Sequence, residues 1–252
     1  MGAKTGLIAY SEGDLISHLR ATTQPDQVRT EALVELAHPG WARTPVERNT
    51  LLDGSYPPEN IVYATSMPGV DLICSRELML DYPSRLPTSL VAASNGRRLV
   101  HHAMHSVVDW LAFAVWENGR LVRSLSLSPD EGIMENIGKP FPFELPYWAG
   151  QHPVKIAPGW PNQEPYALPF HPLEMGEDAL QALFGFTLEG MPDPDAIDAD
   201  AVELLGFQVH DPDLERVAAQ KAAREAAIAA MGPPRMFQLQ SDGSFVETTH
   251  EY

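Results

Sequence analysis

An Asn-Gly pair at 118–119, set between the runs WLAFAVWE (Trp110–Glu117) and RLVRSLSL (Arg120–Leu127), constrains this chain more than any other feature. Both central residues of a two-residue type I′ loop must take positive φ, which Asn and Gly tolerate and most residues do not. The flanking runs are rich in aromatic and aliphatic residues, so the stretch reads as a β-hairpin. A continuous ladder sets Glu117 against Arg120, Trp116 against Leu121, Val115 against Val122, Ala114 against Arg123, Phe113 against Ser124, Ala112 against Leu125 and Trp110 against Leu127. With a period of two, one face then carries Trp110, Ala112, Ala114, Trp116, Leu121, Leu125 and Leu127, and the other Leu111, Phe113, Val115 and Val122 beside Ser124 and Ser126. Strands that are apolar on both sides lie inside a sheet covered by a layer on each face. Arg123, on the first face in this register, needs a partner or an edge.

The remaining segments suggest an α+β protein with a largely antiparallel central sheet, packed helices and a peripheral C-terminal helix plus hairpin. Strands are expected at Lys4–Tyr10, Trp41–Glu47, Ile61–Thr65, Val70–Cys74 and Leu204–Val209, with Pro68-Gly69 turning the third into the fourth. A polar turn ending at Asp14 can cap a helix over Leu15–Arg20, and Pro25 opens a second to Ala37 with Val28, Ala32, Leu33 and Leu36 on one side. Leu86–Ser94 reads as a short helix. Glu177–Glu189 is the best amphipathic segment, with acids in its first turn and Gly190 at its exit. Between Ser128 and Pro172, ten prolines interleaved with aromatics indicate an ordered wrapping segment. Residues 1–210 are expected to form one domain, and 211–252 an extension made of an alanine-rich helix and a hairpin around Ser241-Asp242-Gly243-Ser244.

Charge narrows the partners. Thirty-four acidic against 17 basic residues give a net charge of −17, a surface that repels nucleic-acid phosphates and anionic lipid heads. Nucleic acid and membrane are therefore not expected as partners. Cys74, alone in the sequence, sits in an apolar run and reads as a buried, inert thiol suited to a reducing cytoplasm. No apolar run approaches a membrane span, the N-terminus lacks the layout of a signal peptide, and Gly6 stands where a myristoylation signal wants Ser or Thr.

The densest chemistry lies at His101, His102, His105 and Asp109, with Arg123 nearby in the sheet; these are the candidate ligand-binding residues. On one strand His101 and His105 share a face but stand ~13 Å apart, too far to hold one metal unless the chain bends near Ser106. No metal site is expected, and histidines bonded within the sheet are the simpler reading. Ser106 beside His105 and Asp109 does not make a triad, because adjacent side chains on a strand diverge and no nucleophile elbow is present. Asp193, Asp195, Asp198, Asp200 and Glu203 lack the mid-loop glycine of a calcium loop and read as a solvated connector. Glu131, Glu135 and Glu144 near Tyr147 and Trp148 resemble a sugar cleft in composition, but their separation decides. Neither a phosphate loop nor a dinucleotide fingerprint occurs, so no cofactor is expected.

The words MGAKT at Met1–Thr5, HAMHSVVDWLAF at His102–Phe113, NGRLVRS at Asn118–Ser124 and PFHPL at Pro169–Leu173 resemble an uncharacterised family of actinobacterial proteins, a domain of unknown function. The resemblance spans about Met1–Val209 and implies no activity and no site residues. The expected role is a cytoplasmic, non-enzymatic protein that associates with a protein partner or with itself through its C-terminal extension. The alternative is a small-molecule binder or enzyme with its site around His101, His105 and Asp109.

Overall fold

The computed structural model describes residues 2–21, 23–155, 166–190, 193–230, 236–240 and 245–248. The expected hairpin turn at 241–244 and the part of the wrapping segment at 156–165 lie outside them. The chain divides into two compact units, one of residues 1–153 with 167–210, the other of 154–166 with 211–252.

The first unit is built on nine antiparallel strands: β1 (Lys4–Ser11), β2 (Ala42–Thr50), β3 (Ile61–Met67), β4 (Val70–Cys74), β5 (Arg98–His105), β6 (Trp110–Glu117), β7 (Arg120–Ser128), β8 (Gly132–Gly138) and β9 (Glu203–His210). Their spatial order is β2-β9-β3-β4-β1-β5-β6-β7-β8. On one face, α2 (Gln27–Ala37) and α4 (Thr88–Ala92) cover Ile8, Tyr10, Val62, Ala64, Leu99, Ala114 and Trp116. On the other, α6 (Pro172–Phe184) lies against β5 and β6 beside α1 (Leu15–Arg20), while α3 (Leu51–Gly54) packs by β2 and β9 and α5 (Leu145–Trp148) follows β8. The expected class and the two covered faces of the central hairpin are thus present.

Three details differ from the sequence reading. The hairpin pairs Glu117 with Arg120 and Trp116 with Leu121, but a bulge at Val122 then sets Val115 against Arg123, Ala114 against Ser124 and Leu111 against Leu127. A one-residue slip reverses every later side chain, so Arg123, Leu125 and Leu127 join Leu111, Phe113 and Val115. Helix α6 runs from Pro172 to Phe184, not from Glu177 to Glu189, because the His171 side chain caps it with Pro172 at its first position. Gly185, at φ +85, ends it before Gly190. Helix α2 begins at Gln27 with Asp26 as its cap, two residues after the Pro25 start expected, and it buries Thr30, Leu33 and Val34 and leaves Val28 78% exposed.

The wrapping segment also contains β8, a strand that fits into the proline-free stretch between Pro129 and Pro140. In the second unit, α7 (Leu214–Ala230) precedes a ladder of β10 (Met236–Leu239) with β11 (Phe245–Thr248).

Gly138, at φ +83, pairs with Arg123 opposite the bulge, where a Cβ would collide with the Val122 carbonyl. Gly150, at φ +73, has open space around it. Alanine at either position costs about 1–2 kcal/mol for the left-handed backbone, and Gly138→Ala adds the collision. The expected result is a clearly larger fall in thermal midpoint for G138A than for G150A; equal shifts would show that the bulge does not need this close approach.

Candidate functional site

Strand β5 places its histidines on opposite faces, and each meets a different environment. His101 is fully buried with its Nε2 donating to the Leu78 carbonyl at 2.7 Å, and its Nδ1 has no hydrogen-bond partner among the described residues. His102 is sealed on the other face: Nε2 donates to the Gly176 carbonyl at 3.0 Å, and Nδ1 accepts from Thr5 Oγ1 at 2.8 Å. The tautomers follow from the carbonyls, which can only accept. Burial lowers His101 to about 4 and His102 to about 3, so both rings are neutral struts between sheet and cover.

Asp109 lies at φ +47 in the turn from β5 to β6, with its carboxylate 3.5 Å from His171 Nε2 at the start of α6. The chain reverses here, pairing His105 with Trp110, so His105 and Asp109 serve different neighbours. His101, His102 and Asp109 do not converge on one point. Among the described residues, no three His, Cys, Asp or Glu side chains gather as metal ligands.

Arg123, turned inward by the bulge, is fully buried against the equally buried Glu144 through Nε–Oε1 at 2.9 Å and Nη2–Oε2 at 2.5 Å. Its Nη1 donates to Asn136 Oδ1 at 2.7 Å and to the carbonyls of Ile137 at 2.9 Å and Ser124 at 3.2 Å. Glu144 also accepts from the Phe141 amide at 2.7 Å. Glu135 is likewise occupied, accepting from the Ser84 amide at 3.0 Å and from the hydroxyls of Ser84 and Ser124. Both glutamates fasten covering loops to the sheet rather than facing a substrate. In the acidic connector, Asp193 and Asp198 cap their own turns, accepting from the amides of Asp195 and Asp200.

His105 touches or adjoins residues that line an open cleft, Lys4, Tyr56 and Ser106. It pairs with Lys4 across β1 and β5, and its ring meets Tyr56 edge-on at 5.9 Å. Lys4 Nζ lies 5.5 Å and the Arg76 guanidinium 4.6 Å from the centre of the same Tyr56 ring. Burial, then the charges of Lys4 and Arg76, hold His105 below its ordinary value. Gly6 builds this corner: its amide donates to the Ser55 carbonyl at 2.9 Å, and its carbonyl accepts from the Ser75 amide at 2.8 Å. The segments carrying Tyr56 and Arg76 therefore hang on one residue. A Cβ on Gly6 would stand 2.6 Å from the Ser75 oxygen. The adjoining cleft, about 680 Å³, is lined by Lys4, Asp53, Tyr56, Arg76, Ser106 and Glu189 among others, a size within the range of small-molecule sites. Sequence reasoning missed Lys4, Tyr56 and Arg76. The available signal was Gly6, since a glycine inside a strand marks a close backbone approach.

Fold and site define an α+β domain with a large antiparallel sheet, its central histidines and arginine committed to internal bonds. Residues 5–207 match a family of unknown function, DUF6928, and the chain belongs to that family. Neither a curated protein nor a solved structure matches it. No described helix is long and apolar enough to cross a membrane.

Two outcomes are expected. Arg123→Met strands a buried carboxylate and destabilises by about 3–5 kcal/mol in urea unfolding, whereas R123M with Glu144→Leu recovers much of the loss. A double variant no better than the single would remove the pairing from the account. Because His101 and His102 are depressed in the folded state, the unfolded chain takes up their protons first. Their contribution is complete above about pH 6.5 and falls by about 1.4 kcal/mol per pH unit per histidine between there and the folded values. Urea midpoints measured from pH 7 to pH 4 check this, and His102→Gln should flatten the slope.

Proposed function

We propose that the protein acts in the cytoplasm by binding rather than catalysis, and that it self-associates through its C-terminal extension, residues 211–252. The observation that carries this reading is α7: Leu214, Val217 and Ile228 are 77%, 42% and 59% exposed. At ~100° per residue, these three side chains, with Ala218, Lys221, Glu225 and Ala229, occupy a stripe about 120° wide. The stripe is self-complementary. An antiparallel pairing of two copies about Ala223 sets Lys221 of each against Glu225 of the other, Val217 against Ala229 and Ile228 against Ala218. That is an isologous contact joining opposite charges and large residues with small.

Lys221→Glu should lower the mass measured by light scattering from dimer to monomer, and Lys221→Glu with Glu225→Lys should restore it. A full chain that is monomeric at every concentration, or a dimer that K221E leaves intact, defeats the proposal. Deletion of residues 211–252 gives a second reading of the same mass.

A second reading, a small-molecule binding protein, is favoured by one observation: the cleft beside His105 presents Lys4 and Arg76 with no ion-pair partner among the described residues. It rests on His105 alone of the histidines, with His101 and Asp109 engaged elsewhere.

A further inference from the structure

Resting on the second reading, we propose that the cleft between β1, Tyr56 and Arg76 binds a small monocarboxylate bearing a hydroxyl or amino group, held by Arg76 and Lys4. The chain is strongly acidic, and several of its arginines are neutralised internally. Arg97 and Arg29 share Asp71, at 2.6 and 3.3 Å, and Arg123 is consumed by Glu144. Lys4 and Arg76 are the contrast. Arg76 spends its Nε on the Pro57 carbonyl at 2.8 Å, which fixes the guanidinium plane, while its two Nη groups have no hydrogen-bond partner among the described residues. Lys4 likewise has none.

Both cations rest on the Tyr56 ring, and cation–π contact orders a side chain without neutralising it. The result is a pre-oriented fork beside an ammonium, the geometry that takes a carboxylate through paired charge-assisted hydrogen bonds. The rest of the lining sets the other end of the ligand. Asp53 and Glu189, both exposed, add two negative charges, which oppose a polyanion and suit a hydroxyl or ammonium donor. Ser106 and Tyr56 add hydroxyls to the wall. An amino acid or hydroxy acid satisfies both ends; a polyphosphate does not.

His105 reports on the site without being part of the claim. The groups around it are Lys4 on β1, Tyr56 and Arg76, with Asp53 and Glu189 on the cleft wall. A carboxylate seated between the two cations offsets their repulsion of the imidazolium, so binding raises the His105 pKa.

The test uses the full chain, with His105 followed by NMR and affinity by calorimetry at constant ionic strength. The probes are acetate, lactate, L-serine, inorganic phosphate and pyrophosphate, with chloride as control. Lactate or L-serine should bind more tightly than acetate and pyrophosphate and should move the His105 pKa upward. Arg76→Gln and Lys4→Gln should each weaken binding about tenfold, the value of one charge-assisted hydrogen bond. Arg48→Gln, a change at an exposed arginine paired with Glu203, should leave it unchanged. Equal affinity in R76Q and wild type, or pyrophosphate binding best, overturns the ligand class. If every oxyanion fails while a neutral fragment still shifts His105, the proposal falls and the small-molecule reading stands. If nothing perturbs His105, both fall.

Discussion

The bulge at Val122 decides what this domain can be. Strand β7 enters from the Asn118-Gly119 turn in ordinary register and leaves it one residue out of step. Leu125 and Leu127 are thereby delivered to the face that α6 helps to cover, and Ser124 and Ser126 to the face of Ala112 and Ala114. Arg123 is swung under the segment that follows β8. Without the slip, that guanidinium would face Ala114 and the Trp116 layer with nothing to receive it. With it, the three guanidinium nitrogens find Glu144, Asn136 and two backbone carbonyls. Gly138 permits the slip because it alone can stand so close to the displaced Val122 carbonyl.

The same device recurs elsewhere in the sheet. A buried carboxylate is surrounded by donors that belong to different segments, and the cover is held where apolar packing alone would let it slide. Glu144 holds the Phe141 turn, Glu135 holds the Ser84 turn through its amide and hydroxyl, and Asp71 joins Ser66 of β3 to Arg97 ahead of β5 and Arg29 of α2. Such networks are costly to break because each removal leaves a charge in a dry interior. They account for charged and histidine side chains that, read from sequence, suggest chemistry. His101 and His102 belong with them, being neutral rings that bond cover carbonyls to the sheet.

The corner at Lys4 and Arg76 differs from these networks in that its cations are ordered against a ring and have no ion-pair partner among the described residues. Lys4, Tyr56 and Arg76 meet because Gly6 lets two loops bond to one strand residue, and His105 is drawn into the same corner by its pairing with Lys4. The residues come from positions 4, 56, 76 and 105. No spacing rule joins them, so no motif could announce them.

Much of the scaffold was legible. The β-formers around Asn118-Gly119, the turn at Pro68-Gly69 and the capped helix at Leu15–Arg20 express local preferences that tertiary context reinforced. Helix α6 was shifted because its capping histidine and Gly185 outweighed the acids and Gly190 that suggested a later span, and β8 was hidden in a proline-rich segment, in the gap between Pro129 and Pro140. By itself the sequence determined the class of fold, the two covered faces and the hairpins, because hydrophobic period and turn chemistry are properties of neighbouring residues. Only the tertiary structure decided the register beyond Trp116, the fate of each histidine and the corner at Lys4 and Arg76. A bulge, a buried ion pair and a cleft are each settled by groups far apart in the chain, whose free energy exists only once they touch.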